Sequence, residues 1–199
     1  MVGRVTGVVF DLDGTLYRLR YDVDALRRAW SVRCGVPPGT VANMLAAMTQ
    51  IDRAAALAEL AAAEHAGVAD GPAMPGAAEA LSRLRELVPV AVVSRNERAA
   101  VLAALDALGH GDLAVVARGE AAAEKPDGAP VLAACTAIGT EPCSTLVVGD
   151  TSHDVAAAAA GGAHSVVVRN VDVPRCPDGA DAYVADLAGV VAYVEALAS

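Results

Sequence analysis

The chain has 199 residues, 55% of them apolar and 20% charged, which suits one domain, or one core domain with a modest insertion, and argues against wholesale disorder. Its formal net charge of −9 argues against a nucleic-acid or anionic-membrane partner, since both need clustered Lys and Arg. An anionic small molecule remains admissible, because one cationic pocket with a metal is enough.

Met1–Phe10 is too short for a signal sequence, has only Arg4 ahead of its apolar run and leads directly into Asp11 and Asp13. Val5–Phe10 therefore reads as a buried first strand. From Tyr17 to about Met74 no strand pattern occurs. Helical spacing is found over Val23–Arg33, Val41–Gln50 and Arg53–Glu64, divided by Pro37-Pro38-Gly39 and closed by Gly71-Pro72 and Pro75-Gly76. A helical insertion after the first strand is the economical reading, and it would lie over the ends of the sheet strands, where open α/β folds bind ligands.

Beyond residue 75, strands and helices alternate. Strands are expected at Val88–Val93 and Thr145–Val148, with weaker candidates at Leu113–Ala117, Ser165–Val168 and Ala182–Val184. Helices are expected at Ala77–Leu87, Glu97–Leu108, Pro130–Ile138, Asp154–Ala160 and Leu187–Leu197. This rhythm predicts an α/β fold: a three-layer, Rossmann-like parallel sheet covered on both faces, formed by residues 1–16 and 75–199, with residues 17–74 as a small helical cap. No apolar stretch approaches the roughly 20 uncharged residues of a spanning helix, so a soluble, cytoplasmic protein is expected. Cys34, Cys135, Cys143 and Cys176 form no CxxC pair and no Cys/His cluster, which suits reduced thiols.

Four polar clusters follow the apolar runs. In Asp11-Leu12-Asp13-Gly14-Thr15 two carboxylates two residues apart on an extended chain point the same way, and Gly14 permits a sharp turn close to a ligand. The same pattern also describes a plain acidic turn. Ser94-Arg95-Asn96 offers a hydroxyl that can donate to a phosphate oxygen beside free helix N–H groups; Ser94 or Asn96 would equally serve as a helix cap. Lys125 precedes Pro126, a residue suited to a helix start, and is the chain's only lysine. As a compact charge it can neutralise phosphate and carboxylate together, or simply face solvent. Asp150 and Asp154 add carboxylates after the Thr145–Val148 run, and hard oxygen donors are what Mg²⁺ prefers.

In this order the four clusters resemble the motifs of the haloacid-dehalogenase-like hydrolase superfamily: Asp11 to Thr15 the first, Ser94 the second, Lys125 the third, and Gly149-Asp150 with Asp154 the fourth. The likeness spans residues 5 to about 168, and the helical insertion resembles the cap of the subclass that includes phosphoglycolate phosphatase and β-phosphoglucomutase.

The resemblance implies a Mg²⁺-dependent phosphatase acting on a small phosphorylated metabolite, as a monomer or homodimer. Asp11 would be the nucleophile forming an aspartyl-phosphate, and Asp13 the acid and base. The Asp13 main-chain carbonyl, Asp11 and Asp150 would hold Mg²⁺, with Asp154 supporting that shell. Ser94 and Lys125 would bind the phosphoryl group, and Thr15, Arg95 and Asn96 are further phosphate- or substrate-binding candidates. An Asp at position 13 favours phosphoryl transfer over dehalogenation, which in this family lacks that acid. A phosphomutase, or an idle phosphate-sensing homologue, are the other implied readings. His65, His110 and His164 are expected in structural or exposed roles, and His153, inside the fourth motif, could touch the site but is expected to line the loop or start the helix. Arg18, Arg20, Arg27, Arg28, Arg33 and Arg53 lie in or near the cap, where some could select an anionic substrate, although an Arg on a helical cap is more often on a solvated face.

Overall fold

The computed structural model describes residues 3–170 and 177–198; Cys176 lies outside them, while Cys34, Cys135 and Cys143 are free thiols. The elements in chain order are β1 (Gly7–Phe10), α1 (Val23–Cys34), α2 (Val41–Ala47), α3 (Gln50–Asp70), α4 (Ala77–Arg85), β2 (Val90–Val93), α5 (Arg98–Ala107), β3 (Ala114–Val116), α6 (Ala129–Ile138), β4 (Thr145–Gly149), α7 (Ser152–Gly161), β5 (His164–Val168), β6 (Ala182–Val184) and α8 (Leu187–Ala198). Among the described residues no helix is long and apolar enough to cross a membrane.

The six strands make one parallel sheet in the order β3-β2-β1-β4-β5-β6. Sequence and sheet order diverge between β1 and β4, the topological switch point at which open α/β sheets form a crevice. The registers are in step there. Phe10 pairs with Val92 on one side and Val148 on the other, so Asp11 stands level with Val93 and Gly149.

Alternation along the strands supplies both faces of the core. Val9, Ala91, Val93 and Val147 pack with Val131, Ala134 and Cys135 of α6 and Ala157 and Ala158 of α7. The intervening Val8, Phe10, Val92, Leu146 and Val148 are equally buried, and α4 and α8 pack against each other, against β2 and against β5 and β6 respectively. Strands buried on both faces explain why these runs are continuously apolar rather than alternating.

The chain divides into two compact units, Met1–Arg18 with Pro72–Ser199, and Leu19–Gly71. Tyr17 and Ala73 belong to the first because they bridge to each other, and the backbone N–H of Arg18 and of Met74 donate to Pro72 and Leu16. The second unit contains α1, α2 and α3. Its core is Trp30, Val36, Met44, Leu45, Ala56 and Leu60, with the Trp30 indole N–H donating to Glu59 at 2.8 Å. One helix expected over Val41–Gln50 stops at Ala47, because Met48 turns extended and Thr49 caps the next helix by accepting from the Asp52 N–H. That helix runs on to Asp70.

Leu60→Ala should leave a cavity beside Trp30 and destabilise the helical unit by about 2–5 kcal/mol. Trp30 is the only tryptophan, so its fluorescence during urea unfolding reads this unit directly. A midpoint equal to wild type would place Leu60 outside the cooperative core.

Candidate active site

Asp11 is the first residue past β1, and its backbone N–H still donates to Val148 O at 2.8 Å, which anchors it between the two strands of the switch point. Lys125 arrives from the loop after β3. Its ammonium donates to Asp11 Oδ1 at 2.5 Å, to Asp154 Oδ1 at 2.7 Å and to the Val93 carbonyl at 3.2 Å. All three donor sites of Lys125 are thus used, and the side chain is 4% exposed. Pro126, a residue suited to a helix start, lies in a turn, and α6 begins at Ala129, one residue before the helix expected from Pro130.

Asp154 is placed by a capping box at the start of α7. Its Oδ2 accepts from the Thr151 N–H at 3.1 Å and from the Thr151 hydroxyl at 2.6 Å, a reciprocal arrangement that satisfies helix-start donors. Both Asp154 oxygens are therefore engaged. Gly149, the last residue of β4, makes room for it: a Cβ there would lie 2.4 Å from the Asp154 side chain.

Asp150 follows Gly149 and is buried. Its Oδ2 accepts from the Asn170 amide at 2.7 Å, while its Oδ1, although buried, has no hydrogen-bond partner. Gly14 approaches from the β1 loop at φ +90°, and a Cβ at that position would fall 2.5 Å from Asp150 Oδ2. Only glycine gives both that backbone angle and that closeness. Asp13 is half-buried, its backbone bridged to Tyr17.

One oxygen from each of Asp11, Asp150 and Asp154 lies within 4.8 Å of the others. Three buried carboxylates facing one ammonium, one of their oxygens unpartnered, form a donor set suited to a hard divalent cation. The electrostatics agree. Burial pushes the Asp11 carboxyl up to about 8, with Lys125 opposing and Asp154 adding to the rise. Burial also raises Asp150, against the Asn170 hydrogen bond. For Asp154 burial is outweighed by Lys125 and the Thr151 donors, which hold it below the ordinary carboxylate range. For Lys125 burial is likewise outweighed, by Asp11 and Asp154, so it stays charged.

Ser94, Asn96 and Thr15 are buried. The Ser94 hydroxyl donates to Asn96 Oδ1 at 2.8 Å and accepts from the Asn96 N–H at 3.1 Å. Neither caps α5, whose first turn is capped by Glu97 accepting from the Ala99 N–H at 2.7 Å. Thr15 Oγ1 is the other buried side-chain atom left without a partner among the described residues. Arg95 donates to His153 Nδ1 at 3.1 Å at the protein surface; His153 is the second residue of α7.

Sequence reading missed two residues at this site. Asn170 follows β5 and joins Asp150 to Gly14. Arg18, expected on a solvated face, is half-buried and donates to Asn170 Oδ1 at 3.0 Å. The signal for Asn170 was available: like Asp11, Ser94 and Asp150, it is a polar residue just past a buried strand.

Comparison with known proteins gives a consistent result. The family model of haloacid dehalogenase-like hydrolases matches residues 5–162. A phosphoglycolate phosphatase of Chromobacterium violaceum is 30% identical over 191 residues, covering 82% of this chain and 85% of that protein. Among solved structures, a hydrolase from Pseudomonas syringae superposes with a TM-score of 0.79 at 24% identity, covering 98% of this chain and 100% of that one. A predicted phosphoglycolate phosphatase from Haemophilus somnus 129pt gives 0.74 at 19% identity, covering 97% and 98%.

The elevated Asp11 pKa carries a pH prediction. With a folded value of about 8 against an ordinary 3.8, the folded protein keeps a proton that the unfolded chain releases. That contribution to stability is whole below the ordinary carboxylate pKa and is lost as pH rises through the folded value; the Asp154 effect lies below this window. A divalent cation competes with the same proton, so the rise in Tm on adding the cation should be larger at about pH 9 than at about pH 6. Equal rises at both pH values would contradict the shift.

Proposed function

Because the chain belongs to the haloacid dehalogenase-like hydrolase family, we propose that it is a phosphoric monoester hydrolase that acts on a small phosphorylated metabolite through Asp11, with Mg²⁺ as its resident cation. The observation that carries this reading is the Asp11 carboxylate at the switch point, 2.5 Å from the buried Lys125 ammonium and clustered with Asp150 and Asp154.

In this reading an Asp11 oxygen attacks phosphorus while the bond to the leaving oxygen breaks, which gives an aspartyl-phosphate and divides one difficult displacement into two easier ones. Asp13, less buried than Asp11 and two residues on, protonates the departing alkoxide and then takes a proton from the water that releases phosphate. Lys125 holds Asp11 in place and offsets charge on the transferring group. Thr15, whose hydroxyl has no partner among the described residues, donates to a phosphoryl oxygen, and so does Ser94 once its proton turns from Asn96 Oδ1, while the Asn96 N–H keeps the Ser94 oxygen in place. The cation would be held by Asp11, Asp150 and the Asp13 carbonyl, and Asp154 supports that set by fixing Lys125. When bound, Mg²⁺ would offset the negative charge shared by nucleophile and substrate. The helical segment, as the family's cap, would set the choice among substrates.

A screen of phosphorylated metabolites with Mg²⁺, scoring released phosphate, tests the activity; the Chromobacterium relative makes phosphoglycolate the first compound to try. Turnover should vanish in excess EDTA and in Asp11→Asn, whose amide is isosteric but a poor nucleophile. Full turnover in stripped protein, or with Asn at position 11, would remove this mechanism.

Lys125→Ala should cut turnover by about 10²-fold or more, the scale of losing one electrostatic stabiliser. Lys125→Arg should not restore it, because a wide planar fork replaces a compact ammonium in a buried three-acceptor site. Steady-state kinetics of both variants provide the check, and near-normal turnover of the alanine variant would place Lys125 outside the chemistry.

A further inference from the structure

Asn170 has no part in the reaction steps above, yet among the described residues it is the side chain that donates a hydrogen bond to Asp150. Its Nδ2 donates to Asp150 Oδ2 at 2.7 Å and to the Gly14 carbonyl at 3.3 Å, while its Oδ1 accepts from Arg18 Nη2 at 3.0 Å. These three bonds decide which end of the amide is which. Turned over, the amide oxygen would face a carboxylate and a carbonyl, and the amide nitrogen would face a guanidinium.

The consequence falls on Asp150. A carboxylate turns readily about its terminal torsion, and the Asn170 amide, together with the Asp150 backbone, holds this one. With Oδ2 held by Asn170, it is Oδ1 that remains buried and unpartnered. The same amide draws the Gly14 carbonyl toward Asp150, so the loop after β1 and the end of β4 share one anchor. Arg18 completes the chain. Its guanidinium fixes the amide oxygen and strengthens the donors at the other end through polarisation of the bonded chain.

We propose that Asn170 is a positioning residue, fixed in turn by Arg18, that turns Asp150 so that its Oδ1 is presented to the divalent cation. The inference rests on the reading of Asp150 as a cation ligand. Partners behind a metal ligand orient it and set its basicity, and losing one typically costs 10- to 100-fold in metal affinity or activity.

The test is Mg²⁺ binding by the full-length protein without substrate, measured by calorimetry for wild type, Asn170→Ala, Arg18→Met and the double variant, with melting curves of each metal-free protein alongside. Asn170→Ala should weaken Mg²⁺ binding by roughly 10- to 100-fold while the metal-free Tm stays near wild type, a split that a merely structural role would not produce. Arg18→Met should weaken binding by a smaller factor, and the double variant should bind no more weakly than Asn170→Ala alone, since Arg18 acts through the amide. Equal affinities in wild type and Asn170→Ala, or fully additive losses in the double variant, would overturn the proposal. If Asn170→Ala does not fold, Arg18→Met decides alone: weakened binding supports the relay and unchanged binding refutes it. Absence of Mg²⁺ binding by the wild type is a separate result, which would remove the cation reading and this inference with it.

Discussion

A lysine ammonium held between the carboxyl groups of Asp11 and Asp154, away from water, is the constraint on which the rest of the site depends. Removing a charge from water costs several kcal/mol even after relaxation, and is tolerable only where its partners are close and its donors are satisfied. Lys125 meets that condition with Asp11, Asp154 and the Val93 carbonyl. Those partners come from the ends of β1 and β2 and from the first turn of α7. One side chain thus ties together three separate stretches of the sheet's C-terminal edge.

The fold prepares this arrangement before any side-chain chemistry acts. Parallel strands in matched register bring Asp11, Val93 and Gly149 to one level at the switch point. Residues without a side chain then admit the crowding: Gly149 leaves space for Asp154, and Gly14 brings the β1 loop against Asp150 at a backbone angle other residues resist. The crowding has an electrostatic cost, visible as burial driving Asp11 and Asp150 toward their protonated forms. A bound cation would relieve that cost and, in the proposed reaction, would offset the charge of nucleophile and substrate.

Much of this was legible in the sequence because parallel strands buried on both faces read as uninterrupted apolar runs, and the residue after each run is placed by the sheet itself. Asp11, Ser94 and Asp150 were found that way. Lys125 was found differently, as the single lysine among arginines, and its burial could not be read from a loop position. Asn170 and Arg18 escaped for a physical reason. Asn170 stands past a buried strand as the other site residues do, but its pairing with Arg18 spans 152 positions, and neither local spacing nor residue type marks such a pair. Likewise, the break at Met48 is a backbone turn inside an Ala/Leu-rich stretch whose composition favours helix on either side.

The central claim is that the Asp11 carboxylate itself receives the phosphoryl group. The most direct measurement is rapid acid quench of the wild-type protein during turnover of a substrate found by the phosphatase screen, followed by peptide mapping by mass spectrometry. One phosphoryl group is expected on the peptide that contains Asp11, present during turnover and gone once substrate is exhausted. Sustained turnover with the phosphoryl group on a different residue, or with no covalent phosphoprotein at any quench time, would contradict it.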